Sequence, residues 1–139
     1  MTVIEKRAYG PDSTEEEIQM LRNRVQLLEA GILLFREVPV MSPFEIDITT
    51  DEIAKYLNSG QAKYIIIDLI GVAPPDSLLR AKLKESYSPY ADQIEHVAFF
   101  TGMNAILNLV AKFMVRTVGY KKYSFHKTMD QAVNAIKNG

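Results

Sequence analysis

The spacing of hydrophobic residues near the start of the chain is typical of an amphipathic helix. Four apolar residues follow one another at intervals of three, four and three: Ile18, Leu21, Val25 and Leu28. Ser13 and Glu16 have the spacing of a capping box, and Gly31 is a typical residue after a helix end. The pattern therefore predicts a helix between Ser13 and Gly31. Its apolar stripe favours docking on a sheet, and pairing with a second copy in a homodimer is the alternative.

Short apolar runs rich in β-branched and aromatic residues recur along the chain and predict strands. These runs are Val3–Tyr9, Ile32–Val38, Phe44–Ile48, Tyr64–Ile70, His96–Thr101 and Tyr120–His126. Between them, apolar residues at helical spacing predict further helices. Those helices begin near Thr50, Asp76, Asn104 and Met129 and end near Gly60, Ser88, Val118 and Lys137. Because strands alternate with helices, we expect one compact α/β domain with a mixed, largely parallel sheet of four to five strands packed with helices.

The composition narrows the class of protein. A length of 139 residues suits one domain, and a net charge of −1 gives no reason to expect nucleic-acid binding. The absence of cysteine excludes disulfides and thiolate metal sites. Residues 1–7 lack the apolar core of a secretion signal, and the apolar window Ile106–Val118 is too short and too charged to span a bilayer. We therefore expect a cytoplasmic protein that is not transmembrane.

The most informative stretch is the strand Tyr64–Ile70 and the loop after it. This strand enters a loop with glycine and two prolines and meets Asp76 and Ser77 at the start of an amphipathic helix. Ligands of open α/β sheets bind at the carboxyl ends of the strands, so we expect function in this loop and in the loop Gly102–Asn104. In the simplest interpretation, Asp76 or Ser77 caps the helix. Asp68 is expected to hydrogen-bond amides of the loop.

This strand, its loop and the Asp76-Ser77 pair resemble the STAS family, the fold of SpoIIAA-type anti-anti-sigma factors. The strand Val97–Thr101 and the last strand and helix, Tyr123–Ala135, extend the resemblance over about residues 31–137. The resemblance implies a SpoIIAA-like domain over residues 31–139, with residues 1–30 as an N-terminal extension. It also implies a signalling role, in which a partner kinase phosphorylates Ser77 and the unphosphorylated form binds a regulatory, anti-sigma-like protein.

The chain also departs from that family. Leu78 and Leu79 stand where the family usually has a small residue and a glycine after the hydroxyl residue. The second half of the chain is more similar to a divergent branch that resembles both STAS and SEC14-type lipid-binding domains. That branch implies an alternative function, a binding module for a lipid or another apolar small molecule.

The predicted helix over residues 104–118 has more apolar surface than docking on a sheet requires. Its broad apolar face consists of Ile106, Leu109, Val110, Phe113 and Met114. One interpretation is deep packing between the sheet and a neighbouring helix. The alternatives are the wall of a lipid cavity, a surface for a protein partner, or a membrane-facing surface with Lys112 and Arg116 reaching the headgroups.

Enzyme chemistry finds little support in the sequence. The chain contains no HExxH motif, no nucleophile elbow and no glycine-rich phosphate loop. The two histidines, His96 and His126, lie thirty residues apart, and no spacing indicates a Ser77–His126–Asp68 triad. We therefore expect a non-enzymatic regulatory protein that uses neither a metal nor a cofactor.

Overall fold

The structure is a computed structural model, and it describes residues 8–138. Within this range it contains five α-helices: α1 Glu15–Arg22, α2 Pro43–Asn58, α3 Ser77–Tyr87, α4 Ala105–Met114 and α5 Met129–Asn138. It also contains five strands: β1 Val25–Glu29, β2 Gly31–Arg36, β3 Ala62–Asp68, β4 His96–Phe100 and β5 Tyr123–His126. The predicted strand Val3–Tyr9 lies outside the described residues, except for its last two positions, which are not in a strand.

The five strands form one sheet in the order of the sequence, β1-β2-β3-β4-β5. β1 runs antiparallel to β2, and the other three pairs of neighbours are parallel. The predicted mixed α/β architecture with a largely parallel sheet is therefore confirmed. Helices α2, α3 and α4 all contribute buried side chains to one core, which places them on the same face of the sheet.

The two faces of the sheet have separate cores, since successive side chains along a strand point to opposite sides. The larger core lies between the first face of the sheet and the four helices α1, α2, α3 and α4. On this face the strands present Leu33, Phe35, Ile65, Ile67 and Phe99. The smaller core lies under α5, where Ala132 and Ile136 contact a second face that presents Ile32, Leu34, Ile66 and Ala98. Among residues 8–138, α5 is therefore the one helix that covers the second face.

The region before Gly31 folds differently from its predicted single helix. α1 ends at Arg22, and its capping box is formed by Thr14 and Glu17, one residue later than predicted. Val25 begins strand β1 and is paired with Phe35 of β2. The strand pairing satisfies the backbone across the hairpin and overrides the helical spacing of the apolar residues. The continuous helical stripe that would support a homodimer is therefore absent from the described structure.

The segment 9–29 also contributes to the main core, in which its residues Tyr9, Leu21 and Val25 are buried. The tight turn between β1 and β2 requires the positive φ of 85° that Gly31 adopts. This part of the chain thus completes the sheet of residues 31–138.

The prediction of a strand over Phe44–Ile48 is wrong, because these residues belong to helix α2. Ser42 caps the helix by accepting a hydrogen bond from the Glu45 amide at 3.1 Å, and Pro43 occupies the first helical position. Proline is well suited to that position, where its missing N–H costs no hydrogen bond. The helix therefore begins well before the predicted start at Thr50, although it ends as predicted at the Asn58-Ser59-Gly60 segment.

The remaining elements follow their predictions closely. Helix α3 ends at Tyr87, close to its predicted end near Ser88, and a 3₁₀ turn over Ser88–Gln93 follows it. Helix α4 continues into a π-helical turn over Val115–Gly119. None of the five helices between residues 8 and 138 has the length and hydropathy that a bilayer-spanning segment needs.

Candidate functional site

The loop after β3 is fixed by hydrogen bonds at the carboxyl end of the sheet. The Asp68 carboxylate accepts a hydrogen bond from the Ile70 amide at 2.9 Å, as expected for its position at the strand end. The backbone of Asp68 and Leu69 also bonds to both neighbouring strands, through Glu37 and Phe100. Asp68 therefore positions the loop that leads to the Asp76-Ser77 pair.

Asp76 and Ser77 have different roles at the start of α3. Asp76 is the N-cap, and its carboxylate accepts a hydrogen bond from the Leu79 amide at 2.9 Å. Ser77 is the first helical residue, and its side chain is exposed. Its hydroxyl makes no hydrogen bond with any residue of the described range. Because Asp76 supplies the cap, the Ser77 hydroxyl is accessible for modification.

Exposed apolar side chains lie at the carboxyl end of the parallel strands, on the loops and helices that include the start of α3. Five of the nine large hydrophobic residues exposed in the described range lie here: Ile70 50%, Leu78 79%, Met103 54%, Ile106 58% and Leu109 65%. The loops after β3 and β4 touch, since a Cβ on Gly102 would lie 3.2 Å from Ile70 Cδ1. We call these five residues the carboxyl-end patch. Exposed apolar clusters of this kind mark binding surfaces.

A pocket of about 180 Å³ lies between the start of α3 and helix α4. Its lining is mostly apolar: Pro74, Pro75, Arg80, Ile106, Leu109, Val110 and Phe113. We call it the α3–α4 pocket. The guanidinium group of Arg80 lies over the Phe113 ring and is the one charged group in the lining. The pocket adjoins the carboxyl-end patch, with which it shares Ile106 and Leu109.

Helix α4 divides its apolar residues between the core and the surface. Val110 and Met114 are buried in the main core, with Leu107 and Ala111 beside them on the same helix. Ile106 and Leu109 project outward, and Phe113 is half-buried at the edge of the pocket. Deep packing therefore explains part of the predicted apolar face. The rest of that face lines the surface and the pocket.

The two histidines meet at a serine that the sequence did not single out. His96 Nε2 lies 2.8 Å and His126 Nε2 lies 2.6 Å from Ser124 Oγ. Burial lowers the pKa of both imidazoles, and the nearby Lys122 lowers that of His96 further. His126 is therefore bonded to Ser124 and not to Ser77. The two-residue spacing that puts Ser124 and His126 on one face of β5 is the sequence signal for this contact.

A second cluster that sequence reasoning missed is a pair of buried carboxyl groups. Glu37 follows β2, and its side chain accepts a hydrogen bond from the Val38 amide at 2.8 Å. Glu45, in the first turn of α2, accepts one from the Thr49 hydroxyl at 3.1 Å. Burial raises the pKa of both carboxyls, and the proximity of Glu45 raises that of Glu37 further. The pair therefore retains a proton to higher pH than an exposed glutamate does.

Comparison with known proteins does not identify the function. The chain matches no model of a known protein family and has no significant match among curated proteins. What the protein does must therefore be inferred from its own residues. Among these, the arrangement at the carboxyl end of the sheet combines an accessible hydroxyl, exposed apolar side chains and a small pocket. Such a combination is suited to binding a partner.

Proposed function

We propose that this protein is a non-enzymatic, cytoplasmic regulator of the STAS type that binds a protein partner and is switched by phosphorylation of Ser77. The observation that carries the proposal is the exposed Ser77 hydroxyl, which starts α3 next to the carboxyl-end patch. The strand, loop and helix around Asp68 and Ser77 support the STAS resemblance.

The carboxyl-end patch is the proposed docking surface. Ile106 and Leu109 border a concave pocket, and Leu78 protrudes directly beside Ser77. Interfaces gain most of their affinity from a few apolar or aromatic anchors that fill such recesses. A partner that covers these residues removes them from water and encloses the Ser77 hydroxyl at the rim.

Phosphorylation of Ser77 would act on this surface by charge. A phosphoserine carries nearly two negative charges at pH 7, and its hydration opposes burial against apolar side chains. Arg80 lies one helical turn from Ser77, at a spacing where side chains on a helix interact. The phosphate would therefore draw Arg80 away from Phe113 and open one side of the pocket. We expect a partner to lose at least about tenfold in affinity, which corresponds to about 1.4 kcal/mol.

The test is quantitative recovery of partners from native cells with the full chain as bait. Wild type, Ser77→Ala and Ser77→Asp are compared, and Ser59→Asp serves as the control. Ser59 is an exposed serine just after α2, before β3 begins, so its substitution adds the same charge away from the patch. Phosphopeptide mapping of the endogenous protein measures occupancy of Ser77.

The expected result is a partner retained by wild type, Ser77→Ala and Ser59→Asp and lost from Ser77→Asp, with Ser77 phosphorylated in the cell. Equal recovery by all four baits would refute the switch. A well-covered Ser77 peptide that is never phosphorylated would refute it as well, and would leave this segment with only the structural role of Asp76 as a cap.

The α3–α4 pocket supports a second candidate function, the binding of a lipid or another apolar small molecule. The pocket is lined by apolar side chains, but its volume of about 180 Å³ is below the ~300 Å³ at which small-molecule sites begin. It would therefore hold only the end of an acyl chain or a similarly small group. Native mass spectrometry of the purified protein tests this function. A bound mass that Leu109→Trp displaces supports it, and an unliganded spectrum counts against it.

A further inference from the structure

Positive charge is concentrated in the part of the chain that contains α4 and β5. Residues 96–129 contain five lysines and arginines and no aspartate or glutamate. The whole chain has 16 basic and 17 acidic residues, so this segment differs sharply from the rest. Its cations are Lys112, Arg116, Lys121, Lys122 and Lys127. Such a concentration attracts an anionic partner whatever the net charge of the molecule.

Two of these cations line a groove between the end of α4 and strand β5. The groove has a volume of about 280 Å³ and is lined by Lys112, Val115, Arg116, Tyr123 and Phe125. The rings of Tyr123 and Phe125 lie 6.0 Å apart between centroids and form its aromatic side. Within residues 8–138, neither Lys112 nor Arg116 forms an ion pair. We call this feature the basic groove.

The basic groove continues the carboxyl-end patch along one helix. Leu109, Lys112 and Arg116 are separated by three and four residues, which places them on the same outer face. From Leu109 to Arg116 the helix rises about 10 Å. Phe113, between them in the sequence, faces the α3–α4 pocket under Arg80. An apolar recess is thus followed, two turns later, by a cationic one.

From this juxtaposition we infer that the docking partner presents an acidic, amphipathic peptide segment. One of its apolar side chains fills the α3–α4 pocket, and its carboxylates contact Lys112 and Arg116. This inference rests on the proposed protein-binding function and adds the chemistry of the partner.

The same surface is less suited to other anions. A nucleic acid offers phosphates to the cations but no counterpart for exposed aliphatic side chains such as Leu78 and Leu109. A membrane offers both anionic headgroups and apolar chains, but the pocket and the groove are concave. A single side chain fills a recess of this size, whereas a bilayer surface lies across it.

An acidic partner also gives the Ser77 switch its direction. Partner carboxylates near Arg80 and Lys112 would meet a phosphate of the same sign at the start of α3. Like charges brought together at an interface lower affinity and slow association. Phosphorylation would therefore repel this partner in addition to removing Arg80 from the pocket.

The inference is tested by selecting a phage-displayed library of random twelve-residue peptides on the full-length protein. Selected peptides are then synthesised with each Asp or Glu retained or replaced by Asn or Gln. Their affinities are measured by fluorescence anisotropy against wild type and the double variant K112E/R116E. The matched control is R22E/K84E, which changes net charge equally at two exposed cations on α1 and α3.

We expect acidic peptides with apolar anchors to be enriched. Neutralising their acids should weaken binding at least about tenfold, K112E/R116E should do the same, and R22E/K84E should have little effect. Enrichment of neutral or basic peptides, or no enrichment, overturns the inference. Tighter binding of a twenty-residue oligothymidylate or of phosphatidylglycerol vesicles than of any acidic peptide also overturns it, in favour of nucleic acid or membrane.

The two proposals fail separately. If Ser77→Asp leaves affinity for the selected acidic peptides unchanged, the switch is wrong while the acidic chemistry of the partner stands. If Ser77→Asp releases a cellular partner whose binding K112E/R116E does not affect, the switch stands and the inference about acidic recognition is wrong.

Discussion

The guanidinium carbon of Arg80 lies 5.5 Å from the centroid of the Phe113 ring and thereby joins the first part of α3 to α4. A cation over an aromatic ring at a partly exposed site contributes about 0.5–1 kcal/mol. Arg80 is also three residues after Ser77, within reach of a phosphate on that side chain. One side chain therefore connects the modification site to the wall of the pocket.

Phosphoserine installed at position 77 should move Arg80 off the Phe113 ring. The phosphate is a stronger partner than the ring because it forms charge-assisted hydrogen bonds with a guanidinium. NMR should show a shift of the Arg80 Nε–H signal and of the Phe113 ring signals. Phosphoserine at position 59 is the control, and unchanged Arg80 and Phe113 signals in the Ser77-phosphorylated protein would contradict the link.

Asp76→Ala should destabilise the protein by about 1 kcal/mol, because the Leu79 amide loses its cap. Ser77→Ala should change the free energy of unfolding by less than about 0.5 kcal/mol, since its exposed hydroxyl has no partner to lose. Urea denaturation measures both. A larger effect of Ser77→Ala than of Asp76→Ala would show that Ser77 has a structural role that the hydrogen bonding does not reveal.

Two leucines on α4 should respond in opposite ways to the same substitution. Leu107→Ser removes a buried side chain and should cost about 2–5 kcal/mol of stability. Leu109→Ser removes an exposed one and should change stability by less than about 0.5 kcal/mol, while it abolishes partner binding. Thermal unfolding and the bait experiment together measure the pair. Retained binding in Leu109→Ser would exclude this part of the patch as the docking surface.

The buried carboxyl pair should make stability depend on pH. The pKa of Glu37 is raised above its ordinary value of 4.5 by burial and by Glu45. Because the folded state then holds the proton more tightly, the contribution of this group is full below about pH 4.5 and is lost as the pH rises through the folded-state pKa.

Glu37→Gln cannot ionise, so its free energy of unfolding should fall less than that of wild type between pH 4.5 and about pH 8. Glu16→Gln, in the exposed first turn of α1, is the control and should follow the wild-type curve. Parallel curves for wild type and Glu37→Gln would show that the carboxyl of Glu37 titrates alike in the folded and unfolded states.

The two histidines should occupy different tautomers near neutral pH. Burial lowers the pKa of both, so both are neutral there, and the Ser124 hydroxyl has a single hydrogen to donate. When Ser124 donates this hydrogen to one Nε2, the other Nε2 must donate its own hydrogen to Ser124 Oγ, so the two rings then carry their hydrogens on different nitrogens. Long-range ¹H–¹⁵N NMR distinguishes the tautomers. Two rings that both lack a hydrogen on Nε2, or spectra unchanged by Ser124→Ala, would contradict the shared hydrogen bond.

The central strands were predictable because their sequences permit little else. The run Ile65–Ile67 and the run Val97–Phe99 are apolar at every position, as expected for parallel strands covered on both faces. The start of α3 was predictable for a different reason. A loop with two prolines followed by Asp76 can begin a helix, and the cap forms as the side-chain chemistry requires.

Elements that depend on tertiary pairing were less predictable. Val25 and Leu28 continue the spacing of α1, and nothing local prevents a helix. Only the pairing of Val25 with Phe35 shows that this segment is more stable as a strand than as a helix. The prediction of where α2 begins was wrong because the Ser42-Pro43 pair is typical both of a turn and of a helix start.

Apart from the Ser124–His126 contact, the polar clusters could not be predicted from the sequence, because they join distant parts of the chain. His96 and Ser124 meet only through the register of β4 with β5, and Glu37 meets Glu45 only after α2 has docked. Of the carboxyl-end patch, Ile106 and Leu109 belong to the apolar face that the sequence predicted for α4. The participation of Ile70 and Met103 required knowing that two loops touch.

The single helix on the second face has a consequence for the order in which the protein can be completed during synthesis. Ala132 and Ile136 cover Ile66 and Ala98, which belong to strands made well before them. A ribosome must therefore release residues 129–138 before this apolar face is shielded. Until then the nascent sheet exposes an apolar surface that favours aggregation. The docking of α5 therefore sets the point in synthesis at which this surface stops being an aggregation risk.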